Sequence, residues 1–114
     1  ENLAVVLNPP VEKIAVSPAT ILTTVAEAFN LSVDDIKSNS RRREISTARQ
    51  MGMYLMRQHT DLSLPRIGEE FGGKDHTTVM YSCQKIAQLQ QKDWELSQKL
   101  RELSDRIYLA SRGS

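Results

Sequence analysis

The chain has 114 residues, room for one compact domain and one modest core, with hydrophobic residues at 39% and charged residues at 25%. No apolar run approaches the ~20 residues of a membrane-spanning helix, no basic-then-apolar leader opens the chain, and Cys83 is the lone cysteine, so no internal disulfide forms. The net charge is only +1, but it is unevenly spread. Over residues 1–36 Lys13 stands against Glu1, Glu12, Glu27, Asp34 and Asp35, a net −4. Over residues 37–57 Lys37, Arg41, Arg42, Arg43, Arg49 and Arg57 stand against Glu44, a net +5. A local basic patch attracts phosphate whatever the global sum.

Residues 1–16 read as a linker from a preceding domain, so the chain is expected to begin mid-protein, with 17–114 as its domain. Asn8-Pro9-Pro10 excludes a helix there, because proline lacks the amide donor and restricts its predecessor. Ser17-Pro18 starts the first predicted helix, and Ile21, Val25, Ala28 and Phe29 keep helical spacing until Asn30 ends it. A short second helix follows Ser32, with Asp35 three residues on as in a capping box and Val33 and Ile36 as anchors. Residues 38–43, Ser-Asn-Ser-Arg-Arg-Arg, read as an exposed basic loop.

The third helix is predicted from Glu44 to His59, with Ile45, Ala48, Met51, Gly52 and Leu55 on its buried stripe. Gly52, costly mid-helix, is expected to admit the close approach of another helix. Ser63 caps a fourth helix running through Phe71, with Pro65 in its first turn, and Gly72-Gly73 form a tight turn. Asp75 is placed as the N-cap of a fifth helix with Val79, Cys83 and Ile86 inward. A sixth helix is predicted from about Asp93 to Ala110. Its stripe of Leu96, Leu100, Leu103 and Ile107 suits an intramolecular core better than a dimer seam. Glu95–Lys99 and Glu102–Arg106 are expected as ion pairs on its wet face. Trp94 fits either core or surface. No segment alternates as a strand. The expectation is an all-α domain of six helices, with Ile21, Val25, Phe29, Ile45, Leu55, Ile67, Phe71, Val79, Cys83 and Ile86 in one core.

Function concentrates in residues 63–79. A short helix, a glycine turn and a capped longer helix make the pattern of a helix-turn-helix, whose second helix lays its N-terminal residues in the DNA major groove. Its first turn offers Asp75, His76, Thr77 and Thr78. Asp accepts from a cytosine amino group, a Thr methyl meets a thymine methyl, and His donates or accepts. An ordinary capped hairpin would also contain Asp-x-Thr. The arginines of the basic loop, which suit phosphates or a minor groove, favour DNA over that plainer reading.

On these residues the chain resembles the bacterial DnaA replication-initiator family. The match runs through Phe71-Gly72-Gly73-Lys74-Asp75-His76-Thr77-Thr78-Val79, then Lys85-Ile86, and earlier through Ala48-Arg49-Gln50-Met51 and Ser63-Leu64-Pro65-x-Ile67-Gly68. It covers residues from Ser17 onward. The resemblance implies the C-terminal helix-turn-helix domain, which binds short asymmetric DnaA boxes in double-stranded DNA at the replication origin, in the cytoplasm. It implies base contacts from Asp75, His76, Thr77 and Thr78 in the major groove and from Arg41 in the adjacent minor groove. It implies backbone contacts from Arg49, Gln50, Arg57, Leu64, Pro65, Lys74 and Met80. Lys74 and Arg57 depart from the family's frequent arginine and lysine at those places, and lysine grips phosphate without arginine's bidentate fork. The loop alone does not choose among Arg41, Arg42 and Arg43; alignment backwards from Gln50 selects Arg41.

No membrane contact and no cofactor are expected, and regulatory protein partners are left unidentified. His59, His76 and Cys83 match no common zinc spacing, so no metal is expected. No glycine loop ends in Gly-Lys-Ser/Thr, and His76 with its neighbours on one helix forms no catalytic set, so no catalytic residue and no enzyme is expected. The ATPase part implied by the resemblance would lie upstream. A protein-interaction module and a ligand-sensing repressor are the rival readings.

Overall fold

The computed structural model describes residues 16–112. It contains six helices: α1 (Pro18–Ala28), α2 (Val33–Lys37), α3 (Arg43–His59), α4 (Leu64–Glu70), α5 (His76–Lys92) and α6 (Trp94–Arg112). No strand occurs among the described residues, so the fold is all-α. Apart from Val16, which packs partly buried against the core, the expected linker lies outside the described residues.

Local chemistry sets most helix ends. The Ser17 hydroxyl accepts from the Thr20 amide at 3.1 Å, and Pro18 follows where a missing amide costs nothing. Asn30 takes a positive φ of 59° after α1. Its amide donates to Glu27 O and the Leu31 amide to Ala26 O, the paired bonds that satisfy the last carbonyls of a helix. The capping box at Ser32 and Asp35 is complete in both directions. Ser63 caps α4 by accepting from the Arg66 amide at 3.3 Å. At the other end of α4, Gly72 donates to Glu69 O, and Gly73 and Lys74 both donate to Gly68 O.

The core gathers Ile21, Leu22, Val25, Ile36, Ala48, Met51, Leu55, Ile67, Phe71, Val79, Cys83 and Ile86 with Leu100, Leu103 and Ile107 of α6. The expected core is therefore largely present, with two corrections. Phe29 is only half-buried; its ring lies at the edge, 5.2 Å from the Lys99 ammonium. Ile45 is buried but stands apart from the main cluster. Gly52 serves a close approach, but to the Phe71 ring rather than to a helix backbone: a Cβ there would lie 3.0 Å from Phe71 Cε2.

The α6 stripe is intramolecular, with Leu100, Leu103 and Ile107 buried and Leu96 half-buried against the core. Trp94 is 73% exposed. The ion pairs expected along α6 give way to tertiary contacts: Arg106 pairs with Glu27 of α1 at 3.6 Å, and the Lys99 ammonium lies over the Phe29 ring.

Candidate nucleic-acid interface

The helix-turn-helix is built from α4, the Gly72-Gly73 turn and α5. Both glycines hold positive φ, 88° and 83°, which only glycine adopts without strain. A Cβ on Gly68 would lie 2.0 Å from Lys74 O, so the turn closes against the α4 backbone. Behind α5, Val79, Ser82, Cys83 and Ile86 are buried, which leaves its first turn pointing outward. Asp75, His76, Thr77 and Thr78 are all exposed, and Met80 and Tyr81 continue the exposed surface.

Asp75 occupies the N-cap with extended backbone, yet its side chain makes no capping bond. The expected cap is corrected: the Thr77 hydroxyl donates to Asp75 Oδ2, and His76 Nδ1 lies 3.4 Å from Oδ1. A hydroxyl two residues on competes with the backbone amides for the carboxylate. The three side chains meet, contrary to the expectation from helical spacing, because Asp75 stands outside the helix. This is no nucleophile-base pair, since Thr77 gives its proton to Asp75 and not to the imidazole. The Thr77 hydroxyl above all, with His76 beside it, holds the Asp75 carboxyl below its ordinary 3.8. At neutral pH it is a fixed acceptor.

The basic loop, residues 38–42, joins α2 to α3. Ser38 Oγ accepts from the Ser40 amide and Ser40 Oγ from the Arg42 amide, both at 3.2 Å. Arg42 is exposed and pairs with Glu44 at 2.8 Å. Arg43 is the first residue of α3. Arg41 is exposed and carries neither ion pair nor side-chain hydrogen bond among the described residues. The loop lies beside the start of α5, because Lys74 Nζ donates to Lys37 O at 2.9 Å. Arg41 stands four positions after Lys37, a reach of roughly 14 Å at full extension.

The remaining candidates divide. Arg57 and Pro65 are exposed, while Leu64 and Gln50 are half-buried. Arg57 borders a shallow groove between α3 and α5 with Tyr54, Gln58, Cys83, Gln84 and Ala87. Burial holds the Cys83 thiol above its ordinary value, against a smaller opposing pull from Arg57.

Arg49 differs from the other candidates. It is 9% exposed, with Nε donating to Ile36 O at 2.9 Å and Nη2 to Ser40 O at 3.1 Å. Lys74 is half-buried, with its ammonium on both Lys37 O and Phe71 O at 2.9 Å. Burial lowers the pKa of both, and for Lys74 the charge of Arg49 adds to the effect. Sequence reasoning missed this internal role. The signal was present, since Arg49 falls on the buried stripe with Ile45, Ala48 and Gly52, at the spacing of a helix's inward face.

An exposed polar first turn, a glycine turn and a packed supporting helix, with a basic loop alongside, define a helix-turn-helix DNA-binding domain. The family described as "Bacterial dnaA protein helix-turn-helix" matches residues 18–86. The chain is 74% identical over 112 residues to the chromosomal replication initiator protein DnaA of Crocosphaera subtropica, and 73% identical over 112 residues to that of Rippkaea orientalis. Each match covers 98% of this chain and 25% of the relative. The DnaA of Synechocystis sp. is 73% identical over 110 residues, covering 96% of this chain and 25% of the relative. The chain belongs to the bacterial DnaA family, and it spans about a quarter of the length of the curated relatives it matches. What the family model matches is the helix-turn-helix.

Proposed function

We propose that this chain binds double-stranded DNA sequence-specifically at DnaA boxes of the replication origin, as part of replication initiation in the cytoplasm. The observation that carries the reading is the exposed, polar first turn of α5, set on a buried α5 face and a glycine-closed turn. Asp75, His76, Thr77 and Thr78 read base edges in the major groove. Arg41 enters the adjacent minor groove; unlike Arg42, its guanidinium is not tied to a carboxylate. Arg49, Gln50, Arg57, Leu64, Pro65, Lys74 and Met80 lie along the phosphate backbone, where contacts position the protein without reading sequence. The relatives' name, chromosomal replication initiator protein, supports the biological setting.

The interaction-module reading loses its main support, because the α6 stripe is spent on the chain's own core. The test is a titration of a DnaA-box duplex and a scrambled duplex at two salt concentrations. A specific binder prefers the box at both, by a factor within the 10³–10⁷ typical of such proteins, and weakens on each duplex as salt rises. Equal affinity for both duplexes would sink the proposal.

A further inference from the structure

We infer that the outer face of α6 is a self-pairing surface, on which a second copy of this chain docks with its own α6 antiparallel. The inner stripe of α6 is spent on the core, and the inference concerns the opposite face, which none of the candidate DNA contacts occupies.

That face is regular. Trp94, Gln98, Arg101, Asp105 and Tyr108 are all exposed, and they follow one another at spacings of four, three, four and three. On a helix this spacing gathers them into one stripe, on the side away from Leu100, Leu103 and Ile107. Alternation of four and three is also the seam along which two helices coil around each other. Aromatic rings sit towards both ends of the stripe, with the exposed Leu109 beside Tyr108. Trp, Tyr and Arg are the residue types that carry most of the energy of protein interfaces.

The charges at the centre select the partner. Arg101 and Asp105 are one turn apart and of opposite sign, yet neither makes an ion pair among the described residues. A base that precedes its acid by four residues is the weaker order for a pair within one helix. Set a second α6 antiparallel, with its Asp105 opposite Arg101, and two-fold symmetry makes the same pair twice. In that register Gln98 falls opposite Tyr108. Trp94 falls one turn beyond it, within reach of Tyr108 and Leu109. A parallel copy in register would instead set Arg101 against Arg101 and Asp105 against Asp105. The surface is thus complementary to itself in one direction only.

The length of the seam sets its strength. α6 has 19 residues, roughly 28 Å of helix. One helix pair of that length buries less than the ~1,200 Å² at which stable interfaces begin. The pairing is therefore weak and reversible, and it matters most where two chains are already held close together.

The test needs no DNA, and Trp94, the sole tryptophan, is its reporter. As the 114-residue chain is concentrated from micromolar to millimolar, its emission should shift to the blue and become harder to quench with acrylamide. Sedimentation equilibrium should show the mass moving from one chain towards two over the same range. Arg101→Glu sets carboxylate against carboxylate, and Asp105→Arg sets guanidinium against guanidinium. Each should weaken self-association about tenfold or more. Both sites are exposed, so the cooperative melt should stay as it was. Mixing the two variants opposes the introduced carboxylate to the introduced guanidinium and the remaining Asp105 to the remaining Arg101. Association should return as a mixed pair, which no effect inside one helix can produce.

A chain that stays monomeric at millimolar concentration, with unshifted emission, overturns the inference and leaves the face to a different protein or to none. Self-association that the charge reversals leave untouched, or that mixing does not restore, overturns the antiparallel α6 seam.

Discussion

At the scale of single residues, the first turn of α5 separates two kinds of contact. Thr77 is exposed and already orients the Asp75 carboxylate, whereas Arg57 lies at the end of α3 with only charge to offer. Thr77→Ala should lose ~1–3 kcal/mol on a DnaA box and little on random duplex. Arg57→Ala should weaken both duplexes alike and lower the salt slope by ~1. Equal loss of discrimination in the two variants would refute this division. The Asp75–Thr77 bond makes a second prediction without DNA. Removing the hydroxyl in Thr77→Ala removes the main cause of the low Asp75 pKa, so its carboxyl should titrate closer to its ordinary 3.8. Carboxyl-carbon NMR through the acid range reads this directly, and an unmoved midpoint would show that the hydroxyl is not the cause. Asp75→Ser should cost less stability than loss of a working N-cap, about 0.5–2 kcal/mol, because the carboxylate is not capping.

At the scale of elements, what could be read from the sequence was what is decided within a few residues. Ser17, Ser32 with Asp35, Asn30 and Ser63 act on amides or carbonyls three to five positions away, and every helix end that the sequence predicts falls within two residues of its expected place. What could not be read depends on residues far apart in the chain. The inward position of Arg49 could be read from the buried stripe of α3, but not its partners, because Ile36 O and Ser40 O are backbone atoms that no side-chain pattern announces. Arg106 left its helical neighbour for Glu27 for the same reason: only tertiary packing sets that choice.

The glycine turn allows a quantitative check on one such distant contact. Gly72 and Gly73 share nearly the same positive φ, but a Cβ on Gly73 would meet nothing within 4 Å. Gly73→Ala should therefore cost only the left-handed backbone strain, roughly 1–2 kcal/mol. Gly72→Ala adds a collision with Lys37 O and should cost clearly more. Denaturant unfolding of both variants compares them, and equal losses would mean that the turn does not press on α2 as described.

At the scale of the whole molecule, α6 closes the fold over α1, α3 and α5, and its grip on α3 includes a titratable group. His59, at the end of α3, lies within hydrogen-bond distance of Ser104 Oγ across 45 residues of sequence, at 3.1 Å. Burial lowers its pKa from the ordinary 6.5. A half-buried imidazole away from a carboxylate is destabilised by gaining charge. As pH falls through 6.5, the unfolded chain takes up the proton first, so folding loses stability from that point down to the lower, folded pKa. Above 6.5 the imidazole is neutral in both states and its contribution is fully kept. The low pKa values of Asp75 and Glu44 act in a separate and more acidic window, and His76 is common to wild type and variant. His59→Gln keeps a polar group of similar size and removes the titration. Urea midpoints measured from mildly alkaline conditions down to about pH 5.5 should fall more steeply for the wild type than for His59→Gln. Parallel decline of the two proteins would place the proton uptake elsewhere and free His59 of any part in closing α6 onto α3.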